Sequence, residues 1–224
     1  MSGALSPREA ACVYDRIGRL QDWQSLYEGP AIDELLGAGD FAKARSMYEL
    51  GPGTGALAER LLLDHLPADA RYRGVDVSPK MVRLSRERLH RWADRARIDL
   101  VDGSLPLPGR DGEYDRFLAA YVFDLLAPDY SVRVLEEARR LLGGAGLLCL
   151  VSLTTVSSGA GRLVSAGWRR LWQLDARIVG GCRPVDLVPM LMANGWEIQY
   201  RGVLQAWSIS SEIVVAAPRP VEGH

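Results

Sequence analysis

One heptapeptide, Glu49-Leu50-Gly51-Pro52-Gly53-Thr54-Gly55, constrains the fold of this chain more than any other stretch. It has β-compatible residues 45–50 before it and helix-forming residues 56–66 after it, so it reads as a strand, a tight glycine turn and a helix. Glycines at such a turn admit positive φ and let backbone approach a ligand, while free N–H groups at the helix start face it. The spacing is GxGxG, which departs from the GxGxxG of dinucleotide-binding turns. A glycine turn by itself is also consistent with a plain tight connection.

The rest of the chain repeats the same alternation. Residues 72–77, 97–101, 114–121 and 147–153 read as further strands. Ser78-Pro79 is a helix start, an N-cap followed by proline at the first helical position, and that helix is expected to reach about residue 95. Residues 130–142 form a helix that stops at Gly143-Gly144, residues 184–193 another that stops at Asn194-Gly195, and 8–38 are helical before the first strand. Residues 196–200 and 209–216 read as a closing antiparallel pair. The implied class is α/β: a Rossmann-like three-layer sandwich with a mostly parallel seven-stranded sheet and an antiparallel final strand. The chain is read as a single domain over 1–224, with an N-terminal helical lid at 1–40, a core at 45–153, an inserted substrate segment at 154–183 and C-terminal helix and strands at 184–217.

Two acidic residues accompany the glycine turn. Asp76 closes the second strand 21 residues after Gly55, an offset at which a carboxylate accepts from paired ribose hydroxyls. Asp102 lies in Val101-Asp102-Gly103-Ser104 after the third strand, where it could accept from an adenine amine with Gly103 leaving room for the ring. Either Asp could instead be an ordinary turn residue. Together the three features sit at the C-terminal ends of successive strands, where open α/β sheets bind ligands.

Composition removes several alternatives. Net charge is -1 with 27 basic and 28 acidic residues, so no global field favours nucleic acid or membranes. Arginine outnumbers lysine heavily and is spread along the chain, which reads as genome composition. Residues 80–97 hold seven basic and two acidic residues, taken as a solvated helix face. Cys12, Cys149 and Cys182 make no CxxC pair and His65, His90 and His224 are scattered, so no metal site is expected, and reduced thiols suggest a cytoplasmic protein. The start of the chain has no secretory pattern, and the apolar run 141–153 is too short to span a bilayer, so stable membrane insertion is not expected. Homodimerisation stays open.

The motifs, in this order, resemble the class I S-adenosylmethionine-dependent methyltransferases. The resemblance covers residues 45–153 closely and 184–217 in outline. It implies S-adenosylmethionine as cofactor, with Glu49, Gly51, Gly53, Thr54 and Gly55 cradling its amino-acid end and Asp76 and Val77 on the ribose. It further implies Met81, Asp102, Gly103 and Ser104 beside the adenine, and Ala119 and Tyr121 facing the methionine part. The run Asp102-Gly103-Ser104-Leu105-Pro106-Leu107-Pro108 is similar to the subgroup that methylates quinones, lipids and other small molecules. Gly143-Gly144-Ala145 departs from the more usual Pro-Gly-Gly turn while keeping its chemistry. Ala119-Ala120-Tyr121-Val122-Phe123-Asp124 stands where base N-methylases carry Asn/Asp-Pro-Pro-aromatic, which argues against a nucleic-acid acceptor.

The implied reaction is in-line displacement onto a small-molecule or lipid-like acceptor, the alternatives being an RNA or protein methyltransferase and a cofactor-binding protein without that activity. A general base is needed only for an acceptor that starts protonated, and no catalytic residue is assigned. Tyr14, Tyr27, Asp124, Trp168, Trp172, Arg183 and Trp207 are candidate acceptor contacts, aromatics with one Arg suiting an apolar acceptor that carries an anion. Core packing is the competing reading for the aromatics, and a cap or turn role for Asp124.

Overall fold

The computed structural model describes residues 21–154, 183–206 and 209–220. Helix α1 (Gln21–Ala38) precedes β1 (Ser46–Leu50), the glycine turn and α2 (Ala56–Arg60), which continues as a π turn, Leu61–His65. Then follow β2 (Arg71–Asp76), α3 (Pro79–Arg88), β3 (Ala96–Leu100), β4 (Arg116–Ala120), α4 (Pro128–Leu142), β5 (Leu147–Thr154), α5 (Leu187–Ala193), β6 (Trp196–Ala206) and β7 (Ile209–Pro218).

The strands form one seven-stranded sheet in the order β3-β2-β1-β4-β5-β7-β6. Strands β1 to β5 pair in parallel, and β7 is antiparallel to both neighbours, so the expected Rossmann-like sandwich with one reversed strand is present. Strand order reverses between β1 and β4. Their carboxyl ends therefore open a crevice at the switch point.

The pleat sends alternate residues of each central strand to opposite layers. Met47, Cys149, Val151, Ile213 and Val215 join Leu35 of α1, Leu61 and Val82 in one buried cluster. Tyr48, Phe117, Leu148, Leu150 and Val214 join Leu135 and Leu141 of α4 and Leu187 of α5 in the other. Arg116 fastens α1 to this frame, donating from Nε to the Gly39 carbonyl at 2.9 Å and from a terminal nitrogen to that of Asp40 at 2.8 Å.

Several boundaries differ from the sequence expectation. Ser78 caps α3 as predicted, its Oγ accepting from the Met81 N–H at 3.3 Å, but the helix ends at Arg88 and not near residue 95. Leu89 turns inward with φ −91 and ψ 10, and a 3-10 turn, His90–Trp92, brings the chain back toward β3. Arg95 then fixes the return by donating to the carbonyls of Leu62, Pro67 and Ala70. Strand β4 starts at Arg116, because Tyr114 donates its N–H to the Leu141 carbonyl at the end of α4 and is withdrawn from the ladder. Helix α5 begins at Leu187, because Val185 still extends from the sheet with its N–H on Leu153. Strand β6 runs to Ala206, past the expected end at Tyr200.

Candidate functional site

The glycine turn leaves β1 at the centre of the crevice. Gly51 has φ +72 and donates its N–H to the Val75 carbonyl at 2.9 Å; a Cβ there would lie 2.7 Å from Val122 Cγ2. The turn is thus wedged against the segment that leaves β4. Gly55 packs onto Ser85 of α3, a Cβ there lying 3.1 Å from Ser85 Cα, and the Ser85 hydroxyl donates to the Gly53 carbonyl at 2.5 Å. Gly53 is different: φ is +56, and among the described residues no atom beyond its chain neighbours lies within 4 Å of where its Cβ would be. It faces open space, with half-buried Thr54 beside it.

Two buried carboxylates stand at the ends of β1 and β2. Asp76 is 9% exposed and accepts from the Ser78 N–H at 2.8 Å and the Gly53 N–H at 3.2 Å. Burial raises its pKa, and the N–H groups of Ser78, Gly53 and Val77 act against that rise. Glu49, 2% exposed, accepts the Tyr72 hydroxyl on Oε2 at 2.6 Å. Burial pushes its carboxyl up to about 7, with the phenol lowering it and Asp76 raising it. Burial and the Glu49 charge hold the Tyr72 phenol well above its ordinary range. Tyr72 was not among the sequence candidates. Its only signal was strand alternation, which puts residues 72, 74 and 76 on one face, beside Glu49 of the next strand.

The remaining candidates on this side lie around the same opening. Met81 is 4% exposed and belongs to neither apolar cluster. Val77 is half-buried. Asp102 is exposed and accepts from Ser104, through the backbone N–H at 2.9 Å and the hydroxyl at 2.6 Å. Gly103, with φ +78, gives its carbonyl to the Tyr130 hydroxyl at 2.6 Å, so the third strand-end turn is tied to α4.

Beyond β4 and β5 the site becomes a set of buried polar side chains. Ala119 corrects one expectation: its side chain is fully buried in the α4-side core and does not face the crevice. Tyr121 follows with φ +56, which is unusual for a residue carrying a Cβ and marks the strand end as strained. Its hydroxyl pairs with Ser211 Oγ of β7 at 2.8 Å. Asp124 is fully buried and accepts from the Ser152 hydroxyl. Glu212, 1% exposed, accepts from the Leu187 N–H at 2.9 Å, capping α5, and from Arg201 at 2.8 Å. Ser210 is 4% exposed, and its hydroxyl has no hydrogen-bond partner among the described residues. Arg183 donates its N–H to the Asp124 carbonyl at 2.9 Å and its guanidinium to that of Leu126 at 3.0 and 3.3 Å. Its first structural role is therefore to hold the β4–α4 connection. Burial lowers its pKa, and the Asp124 charge opposes that.

Tyr14, Trp168, Trp172 and Trp207 lie outside the described residues, and Tyr27 is on α1. Among the described residues no cluster of His, Cys, Asp or Glu could hold a metal ion, and no helix is long and apolar enough to cross a membrane. The basic stretch 80–97 is largely engaged locally. Arg86 donates to the Ile98 carbonyl, Arg95 caps three carbonyls, and Arg83, Arg88 and Arg97 pair with Glu87, Glu59 and Asp99.

Comparison with known proteins agrees with this arrangement. Residues 47–146 match the profile of a family described as a methyltransferase domain. A 95-residue stretch is 35% identical to ribosomal RNA small subunit methyltransferase A of Prochlorococcus marinus; it spans 41% of this chain and 31% of that protein, so the match covers about a third of the relative's length. The crystal structure of the cyclase SpnF superimposes over 96% of this chain and 98% of its own, with a TM-score of 0.73 and 17% identity. An O-methyltransferase of neocarzinostatin biosynthesis, solved with S-adenosyl-L-homocysteine and 1,4-dihydroxy-2-naphthoic acid, covers 95% of this chain and 59% of its own, with a TM-score of 0.64 and 16% identity. At these identities the structural likeness speaks to fold.

Proposed function

We propose, from the match of residues 47–146 to a methyltransferase-domain family, that this chain is a class I S-adenosylmethionine-dependent enzyme that methylates a small-molecule or lipid-like acceptor by in-line displacement. One observation carries the reading. At the switch point of the sheet the buried carboxylate of Asp76 accepts from the N–H of Gly53, whose Cβ side is open among the described residues, and the buried carboxylate of Glu49 is near enough for the Asp76 charge to act on it. S-adenosylmethionine offers an ammonium, two ribose hydroxyls and an adenine amine, all donors, to a site whose side chains are acceptors. Any side chain at residue 53 would stand in the space that such a molecule needs.

When bound, the cofactor supplies a methyl group on a sulfonium, already activated for displacement. The protein's work is then to bind, align and exclude water. Glu49 would meet the ammonium and Asp76 the ribose diol, with backbone N–H groups fixing the Asp76 rotamer. Asp102 and Gly103 would border the adenine, with Met81 against it. Tyr121, held by Ser211, would form a wall near the transferred methyl. The acceptor would enter near the carboxyl end of β5, where Ser152 meets Asp124 and Ser210 of β7 stands in register with Thr154, in a single-domain enzyme. A polar group on the acceptor suits this buried set. Cytoplasmic action accords with the free, buried thiol of Cys149.

An RNA acceptor draws on the ribosomal RNA methyltransferase match. Arg86 and Arg95 of the stretch 80–97 are engaged on backbone carbonyls and Arg97 on Asp99, which supports the small-molecule reading.

Calorimetric titration with S-adenosylmethionine and S-adenosylhomocysteine tests the first step. Both should bind, and Asp76→Ala should weaken them by about 100-fold or more, the scale of two lost charge-assisted hydrogen bonds. Absence of binding by the unaltered chain would sink the reading. A screen with labelled cofactor against phenolic, lipid and RNA acceptors then identifies the acceptor class.

A further inference from the structure

Tyr72 lies two residues before Gly74 on β2, and in the parallel ladder Gly74 pairs with Glu49 of β1. The phenol runs along the strand over the glycine and reaches the carboxylate at 2.6 Å. Gly74 makes that path possible. A Cβ there would lie 3.0 Å from the Tyr72 hydroxyl, 3.0 Å from Pro52 Cγ and 2.7 Å from Ile98 Cδ1. Tyr72 and Glu49 are both at most 2% exposed, so no solvent competes for the bond. On the other flank of β1 the register partner of Glu49 is apolar Leu118. Among the described residues, the titratable groups acting on Glu49 are Tyr72 and Asp76, both from β2.

We propose that Tyr72 is a positioning residue for the cofactor's charged end: its hydroxyl, passing over Gly74, holds Glu49 oriented and ionised to receive the ammonium at the glycine turn. This rests on the cofactor reading above. A proton on Glu49 then competes with the ammonium. Binding is linked to pH through one buried carboxyl, whose ordinary range burial has raised to about 7. Because the phenol hydrogen-bonds the charged form, its loss moves that carboxyl further up.

The test is calorimetric titration of the full chain with S-adenosylhomocysteine from pH 5.5 to 8.5, in two buffers of different ionisation heat so that released protons are counted. The unaltered chain, Tyr72→Phe and Glu49→Gln are compared, the last providing the baseline for titration of the ligand's own amine. Affinity of the unaltered chain relative to Glu49→Gln should rise through about pH 7, with a proton released below it. Tyr72→Phe should shift that midpoint upward, weaken binding several-fold at pH 7 and recover most of the loss at the alkaline end. A loss of equal size at every pH, or an unmoved midpoint, would overturn the proposal, since a phenol that only packs has no reason to act through a proton. Infrared titration of the ligand-free proteins gives an independent readout: a carboxyl band absent in Glu49→Gln should titrate higher in Tyr72→Phe. If that band behaves so while the unaltered chain binds no cofactor, the contact stands and the cofactor reading fails. If cofactor binds and the band does not move, the positioning role fails alone.

Discussion

The two halves of the crevice are built by different means. On the β1–β2 side, geometry comes from the backbone: positive φ at Gly51, Gly53 and Gly55, and a carboxylate, Asp76, held by N–H groups of its own turn and its neighbour. On the β4–β5–β7 side, geometry comes from side chains far apart in sequence. Tyr121 meets Ser211, Ser152 meets Asp124, and Glu212 caps α5. The first half can hold a ligand common to a whole family, because few side chains take part. The second can vary by single substitutions, which suits a surface that selects one acceptor. Perturbations should therefore separate the halves.

The largest effect is expected at the joint between them. Gly51→Ala would put a Cβ at positive φ and 2.7 Å from Val122. The left-handed conformation alone costs about 1–2 kcal/mol, and the clash adds to it. Thermal unfolding should show destabilisation of about 2 kcal/mol or more, and cofactor affinity should fall with it. Gly53→Ala carries the same left-handed cost at φ +56 but meets no clash among the described residues, so it should lose affinity with a smaller loss of stability, about 1–2 kcal/mol. Equal stability losses at the two glycines would contradict the division drawn here.

That division also explains what could be read from the sequence. The glycine turn and the Ser78 cap were legible because each depends on neighbours within a few residues, and Asp76 because its offset from the turn is set by one strand–helix–strand unit. Tyr72 was not, because its role follows from the register between β1 and β2. The contacts of individual arginines were hidden for a related reason. Arg95, Arg116 and Arg140 cap carbonyls that become neighbours only after folding, such as those of Pro67, Gly39 and Leu107. Ala119 was assigned to the crevice from its place in a motif, whereas the pleat turns its side chain into the core. The acceptor contacts proposed in 155–182 and at Trp207 fall outside the described residues.

A smaller effect concerns pH. Glu49 has its carboxyl raised in the folded chain to about 7 from 4.5, so between those values the native state holds a proton that the unfolded state has lost. The ligand-free protein should then lose stability as pH rises through that window, by at most about 1.4 kcal/mol per unit from this group. Asp76, also raised, adds in the same direction. Denaturant unfolding at pH 5 and pH 7.5 should show the difference, and Glu49→Gln should reduce it. Cofactor binding should reverse the trend by pairing the ionised carboxylate. An unchanged slope in Glu49→Gln would mean that the β1–β2 half does not store this cost.

The smallest effect tests the other half. Ser210 buries a hydroxyl with no partner among the described residues, in a strand whose next residues, Ser211 and Glu212, are both engaged. An unpaired buried hydroxyl costs stability, so Ser210→Ala should be neutral or should stabilise the ligand-free chain by about 1 kcal/mol. If the hydroxyl serves the acceptor, the same substitution should raise the acceptor KM while leaving cofactor affinity alone, because Ser210 lies on the β7 side. A gain in stability with unchanged KM would make Ser210 a packing defect. A loss of cofactor affinity would show that the two halves are coupled through β7, and the separation argued from Gly51 and Gly53 would have to be given up.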